Sequence, residues 1–143
     1  MSTFFFETDA SEACPIAFGG AADVLVHFIS FAFAARYGSQ HELTKLALLL
    51  RLERKIDFDP LTTFAGREVE VEADAVELDR VWQDAAPLAE TLRRVVEALV
   101  SPDERIAALT ADAPDLADRL GDLRRMAAWA AERGARVRMT FDL

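Results

Sequence analysis

The sequence predicts an α+β fold whose mass is mainly helix. Three observations carry this: apolar residues recur at helical spacing over most of the chain, residues 67–73 and 136–142 alternate strictly, and an aromatic run opens the chain at 3–7. The expected architecture is four to five helices, with an apolar central helix at 23–37. They pack against a small, mostly antiparallel three-stranded sheet formed by 3–7, 67–73 and 136–142. At 143 residues the chain reads as one domain, 1–143, with no linker long enough to divide it.

Each element has its own warrant. Thr3-Phe4-Phe5-Phe6-Glu7 is short and aromatic, so it reads as a strand. Asp9 to Gly20 carries Pro15 and two glycines and reads as a loop. From Asp23 to Tyr37 the pattern is apolar nearly all round, which places this helix at the centre of the fold or at an interface. Gly38 can end it, because glycine adopts the left-handed conformation at little cost. Ser39, with Glu42 three residues later, has the spacing of a capping box for the next helix. In that helix Leu43, Leu46, Ala47 and Leu50 share one face.

Val69, Val71 and Ala73 alternate with Glu68, Glu70 and Glu72, the pattern of a half-buried strand. Val137, Met139 and Phe141 alternate likewise with Arg136 and Arg138. If the two segments are neighbours, the glutamates and arginines share the outer face, each cross-strand pair contributing about 0.2–1 kcal/mol. Between them, Asp74 and Glu77 repeat the capping spacing. The stripe Leu78, Val81, Trp82, Ala85, Leu88, Leu92 and Leu99 then keeps phase across Pro87, which favours one long helix kinked there over two helices. Ser101-Pro102-Asp103-Glu104 opens a short helix. A last helix carries Leu116, Leu120, Leu123, Ala127 and Ala130 to Gly134.

Composition bounds the function. Acidic residues number 25 against 16 Lys+Arg, a net charge of −9, which disfavours phosphate backbones, so no nucleic acid is expected. The apolar stretch 13–35 contains Asp23 and two glycines, and acids rather than basic residues precede it. It reads as a core helix, neither a membrane span nor a signal peptide. A single cysteine, Cys14, forms no intrachain disulfide and suits a reducing cytoplasm.

Chemistry-bearing residues are few. His27 lies in the most apolar helix, where a satisfied core histidine is the ordinary expectation and a general base the functional one. With Tyr37, Trp82 and Cys14 it is the candidate lining of a pocket or interface. Glu68, Glu70 and Glu72 are the candidate acidic partner-binding face. His27 and His41 are the two histidines, 14 residues apart, and form no metal motif, so neither metal nor cofactor is expected. No nucleophile elbow or phosphate-binding glycine loop is present. Gly19–Gly20 before a helix can hold an anion, or simply turn the chain.

The leading expectation is a non-catalytic acidic protein-binding module, an adaptor or inhibitor-like protein that masks a basic partner surface. Against it stand a small enzyme or ligand-binding protein with a pocket near helix 23–37, and a self-associating structural subunit, a homodimer for example.

Overall fold

The structure is a computed structural model that describes residues 3–35 and 40–142. It is an α+β fold with six helices and a four-stranded mixed sheet among the described residues. In chain order the elements are β1 (Thr3–Thr8), α1 (Asp23–Ala34), α2 (Glu42–Leu52), β2 (Ala65–Gly66) and α3 (Glu72–Arg80). There follow β3 (Gln83–Asp84), α4 (Ala85–Val100), α5 (Glu104–Leu109), α6 (Leu116–Glu132) and β4 (Arg136–Asp142). The end of the first predicted helix at Tyr37, its stop at Gly38 and the Ser39 cap lie outside the described residues.

β4 is the hub of the sheet. β1 pairs with it antiparallel from Thr3↔Asp142 to Thr8↔Val137. On its other side β2 runs parallel at Thr140–Phe141 and β3 antiparallel at Arg136–Val137. Alternation in β4 holds in part: Val137, Met139 and Phe141 are buried and Arg136 and Arg138 take the outer face, but Thr140, expected beside the arginines, is buried as well.

The core lies between the inner face of this sheet and the helices. The α6 stripe of Leu116, Leu120, Leu123, Ala127 and Ala130 is wholly buried, and α6 packs against α4, whose Leu88, Leu92 and Val95 are buried too. α1 contributes Leu25, Val26, Phe28, Ile29 and Ala32, and α2 contributes Leu43, Leu46, Ala47 and Leu50. A Leu→Ala change at such a site costs about 2–5 kcal/mol. Gly134, with φ of +63°, reverses the chain from α6 into β4, a conformation that costs glycine little.

Several expectations are corrected. Residues 67–73 form no strand. The Arg67 N–H donates the last ladder bond, to Phe141 O at 2.9 Å. The Asp74 carboxylate then accepts from the N–H groups of Glu70 (2.9 Å) and Val71 (3.1 Å), so α3 starts at Glu72. A local side chain–backbone bond thus outcompetes the ladder that the alternation suggested. A sheet of four strands, two of them only two residues long, replaces the expected three.

The helix across Pro87 is also corrected: the chain breaks into α3 and α4. Gln83 and Asp84 pair with β4, and the Ala85 N–H donates to Ala135 O at 3.2 Å. Pro87 becomes the third residue of α4, where an amide has no intrahelical acceptor, so the proline removes nothing. Within the Ser101-Pro102-Asp103-Glu104 start, the residue that caps α5 is Asp103, accepting from the Ile106 N–H at 2.9 Å.

Candidate functional site

Four regions bring polar or reactive groups together. The first is a cavity of about 410 Å³ where the N-termini of α1, α2 and α6 meet. His27, expected in the core, is exposed on the solvent side of α1 and lines this cavity with His41. The helix is therefore not apolar all round in its setting: it buries one broad face and turns the side that carries His27 to water. His41 caps α2. Its Nδ1 accepts from the Leu43 N–H at 3.1 Å. The imidazole stacks on Phe31, 3.9 Å between centroids and 7° from parallel. Asp23, Glu42, Asp112 and Asp115 complete the polar lining.

This cavity can hold a ligand, but its lining contains no Ser, Thr, Cys or Lys among the described residues, so it offers no hydroxyl, thiol or amine nucleophile. Nor does any group of three or more His, Cys, Asp or Glu stand close enough to hold a metal ion, among the described residues.

The second region is the outer face of the sheet. The Arg138 guanidinium lies 4.8 Å from the Trp82 ring centre and donates to Glu7 Oε2 at 2.9 Å. Arg67 donates to Glu7 Oε1 at 3.1 Å and lies 4.1 Å from the Phe5 ring centre. Hydrogen bonding to Arg138, with the nearby charges of Arg138 and Arg67, holds the Glu7 carboxyl below the ordinary carboxylate range against a partial desolvation penalty. Asp9 takes the Arg136 N–H at 2.7 Å and its guanidinium at 3.2 Å. The cross-sheet ion pairs expected between Glu68–Glu72 and the arginines do not form; Arg138 and Arg136 pair with other carboxylates instead. These come from β1 and the residue after it, not from 68–72.

The third region is the excursion from Glu68 to Arg80. No residue of α3 is buried. Val69, Val71 and Val76 are 51 %, 59 % and 42 % exposed. Six carboxylates and one arginine lie between Glu68 and Arg80. Arg80 pairs with Glu77 at 3.1 Å, whereas Glu68, Glu70, Glu72, Asp74 and Asp79 form no ion pair among the described residues; Asp74 accepts only backbone N–H groups.

The fourth region is a buried ionic clamp. Asp122 of α6 accepts from the Gly19 N–H at 2.9 Å, lies 3.0 Å from Arg119 Nε, and is bonded by Arg125. The anion held by the Gly19 N–H is therefore the protein's own carboxylate.

The pocket residues read from the sequence are not brought together. His27 lines the first cavity, Trp82 is clasped by arginines on the sheet, and Cys14 faces a groove beside β1, its thiol 3.9 Å from Ile16 O. Tyr37 lies outside the described residues. Sequence reasoning missed that His27 and His41 share a cavity; the four-residue step from Asp23 to His27, one helical turn, was the available signal. No family model, curated protein or solved structure matches this chain. Among the described residues no helix is long and apolar enough to cross a membrane.

Proposed function

We propose that this protein is a non-catalytic acidic binding module, and that Glu68–Arg80 is the surface it offers to a basic protein partner. The single observation that carries the reading is α3, a helix that buries none of its own residues. Helices in folded proteins are stabilised mainly by packing an apolar face. This one leaves Val76 bare, as the segment leading into it leaves Val69 and Val71, among six carboxylates of which five form no ion pair among the described residues. Apolar contacts ringed by uncompensated charge suit a partner with lysines and arginines around an apolar centre.

The test is recovery of partners from native extract with wild type and with the triple variant Glu68→Lys, Glu70→Lys, Glu72→Lys. A near-stoichiometric basic protein retained by wild type at low salt and lost by the variant is the expected result. Recovery of the same protein by both would refute this surface; recovery of bait alone would refute the module.

A second reading is favoured by one observation, the convergence of both histidines and Asp23, Asp112 and Asp115 on one cavity. In that reading the protein binds a small ligand there, with the Phe31–His41 stack as an apolar wall. Ligand-induced shifts of the His27 and His41 ring resonances in an NMR screen would support it. Binding that leaves both rings unmoved would rule it out.

A further inference from the structure

A different surface carries a different partner. The parity of the β1–β4 ladder fixes which way each backbone group of β1 points. The Asp9 N–H donates to Arg136 O at 3.1 Å, so residues 9, 7, 5 and 3 turn their polar groups toward β4. Phe4, Phe6 and Thr8 turn theirs away. Among the described residues nothing on that outer edge accepts or donates a backbone bond.

Bare edges are normally protected by lysine, proline or a bulge. The strand Thr-Phe-Phe-Phe-Glu-Thr has no lysine and no proline, and its register with β4 is unbroken. Beside the edge runs an open apolar groove of about 550 Å³, bordered by Phe6, Cys14, Ile16, Phe18 and Met126.

We infer that the outer edge of β1 pairs antiparallel with β1 of a second copy of this chain, closing two sheets into one across a two-fold axis. Charge selects this occupant. The protein carries −9 overall, and a second copy would be repelled from Glu68–Arg80. At β1 that obstacle is removed locally: Glu7 is held by Arg138 and Arg67, and Asp9 by Arg136. The sequence is also complementary to itself. In a pair centred on Phe6, Phe4 faces the Thr8 of the second copy and Phe5 faces its Glu7, so no two carboxylates oppose each other. An extended peptide from an unrelated protein would find the same backbone groups, and the experiment separates it from a second copy.

The measurement is light scattering on the full chain from micromolar to millimolar concentration, paired with amide hydrogen exchange followed by NMR. The mass should rise from 15.8 kDa toward twice that value. Over the same range the Phe6 and Thr8 amides should become at least tenfold more protected, while Phe5 and Glu7 are protected throughout. Thr8→Pro removes one outward N–H at an edge position where proline is tolerated, and should abolish the dimer while leaving the circular dichroism spectrum intact. If Thr8→Pro unfolds the chain, the exchange data decide alone. A monomer at millimolar concentration, or a dimer whose Phe6 and Thr8 amides stay open, overturns the proposal. So does an edge protected only when another protein is added. Glu68→Lys, Glu70→Lys, Glu72→Lys should leave the dimer in place, so this inference and the acidic-face reading fail separately.

Discussion

Replacing Asp122 by alanine should cost about 3 kcal/mol, and the structure says where the loss comes from. The Asp122 side chain is 6 % exposed and that of Arg119 is 13 % exposed. Breaking a buried ion pair from one side costs about 3–5 kcal/mol, because the surviving charge stays buried without compensation. Arg125 is mostly exposed and regains water, so its share is small. Gly19 loses a charge-assisted bond, but its amide is only part-buried and water replaces some of it. The lower end of the range, about 3 kcal/mol, is therefore expected. For a chain of 143 residues, an unfolding entropy of about 0.3 kcal/mol/K converts this into a fall of about 10 °C in Tm. Thermal and urea unfolding followed by circular dichroism measure it. Adding Arg119→Met to Asp122→Ala should restore part of the loss, since it removes the orphaned charge. A loss below about 1 kcal/mol, or a double variant weaker than the single, would refute the reasoning.

Four further outcomes follow from other contacts. A methyl group at Gly20 meets the Arg119 guanidinium, which Asp122 pins in place; Gly20→Ala should destabilise by about 1–3 kcal/mol, and by less in an Arg119→Ala background, read from the same urea midpoints. The Glu7 carboxyl is held below its ordinary value, so it contributes stability that is complete above about pH 4.3 and is lost as pH falls through the folded-state value. Glu7→Gln should accordingly cost stability at pH 7 and nothing near pH 2, measured by urea melts at both. Pro87→Ala should change stability by less than about 0.5 kcal/mol, because no helical bond is missing at that position; a gain near 3 kcal/mol would instead indicate an interior kink. Val69→Ser with Val76→Ser should leave Tm within about 2 °C, since neither side chain is buried.

How much of this was legible depends on what kind of force set each element. Helices with a wide apolar face were read correctly because burial alone decides them: the α6 stripe and the α2 face lie where their periodicity put them. β4 was legible for the same reason. The run 67–73 failed because its alternation matched a strand while nothing buried its valines, and one carboxylate, Asp74, diverted two amides into a helix start. Pro87 misled in a related way. The stripe stays in phase because both flanks, Val81 and Ala85–Leu88, are held against the body by the two-residue β3, and a bridge that short leaves no periodic signal. The candidate site was less legible than the fold. His27 was read from the character of its helix, but burial belongs to one face of a helix, and its face is the open one. The Glu7–Arg138 and Asp122–Arg119 contacts join residues whose charges are individually unremarkable in the sequence.

Charge compensation separates the two proposed surfaces and yields a last prediction with opposite signs. The carboxylates of Glu68–Arg80 are largely unpaired, so attraction to a basic partner acts across solvent and is open to screening. The carboxylates at β1 are paired within the chain, so what opposes its self-pairing is the remaining net charge of the two molecules. The Debye length falls from about 30 Å at 0.01 M salt to about 3 Å at 1 M. Raising salt over this range should therefore weaken capture of the basic partner and strengthen self-association. Sedimentation of the protein alone, beside partner binding measured at matched salt, gives both slopes. Slopes of the same sign would mean that one patch serves both contacts, and the division of the surface by charge would be wrong. Opposite slopes would mean that a single acidic chain keeps a neutral edge for itself and an unneutralised helix for another protein.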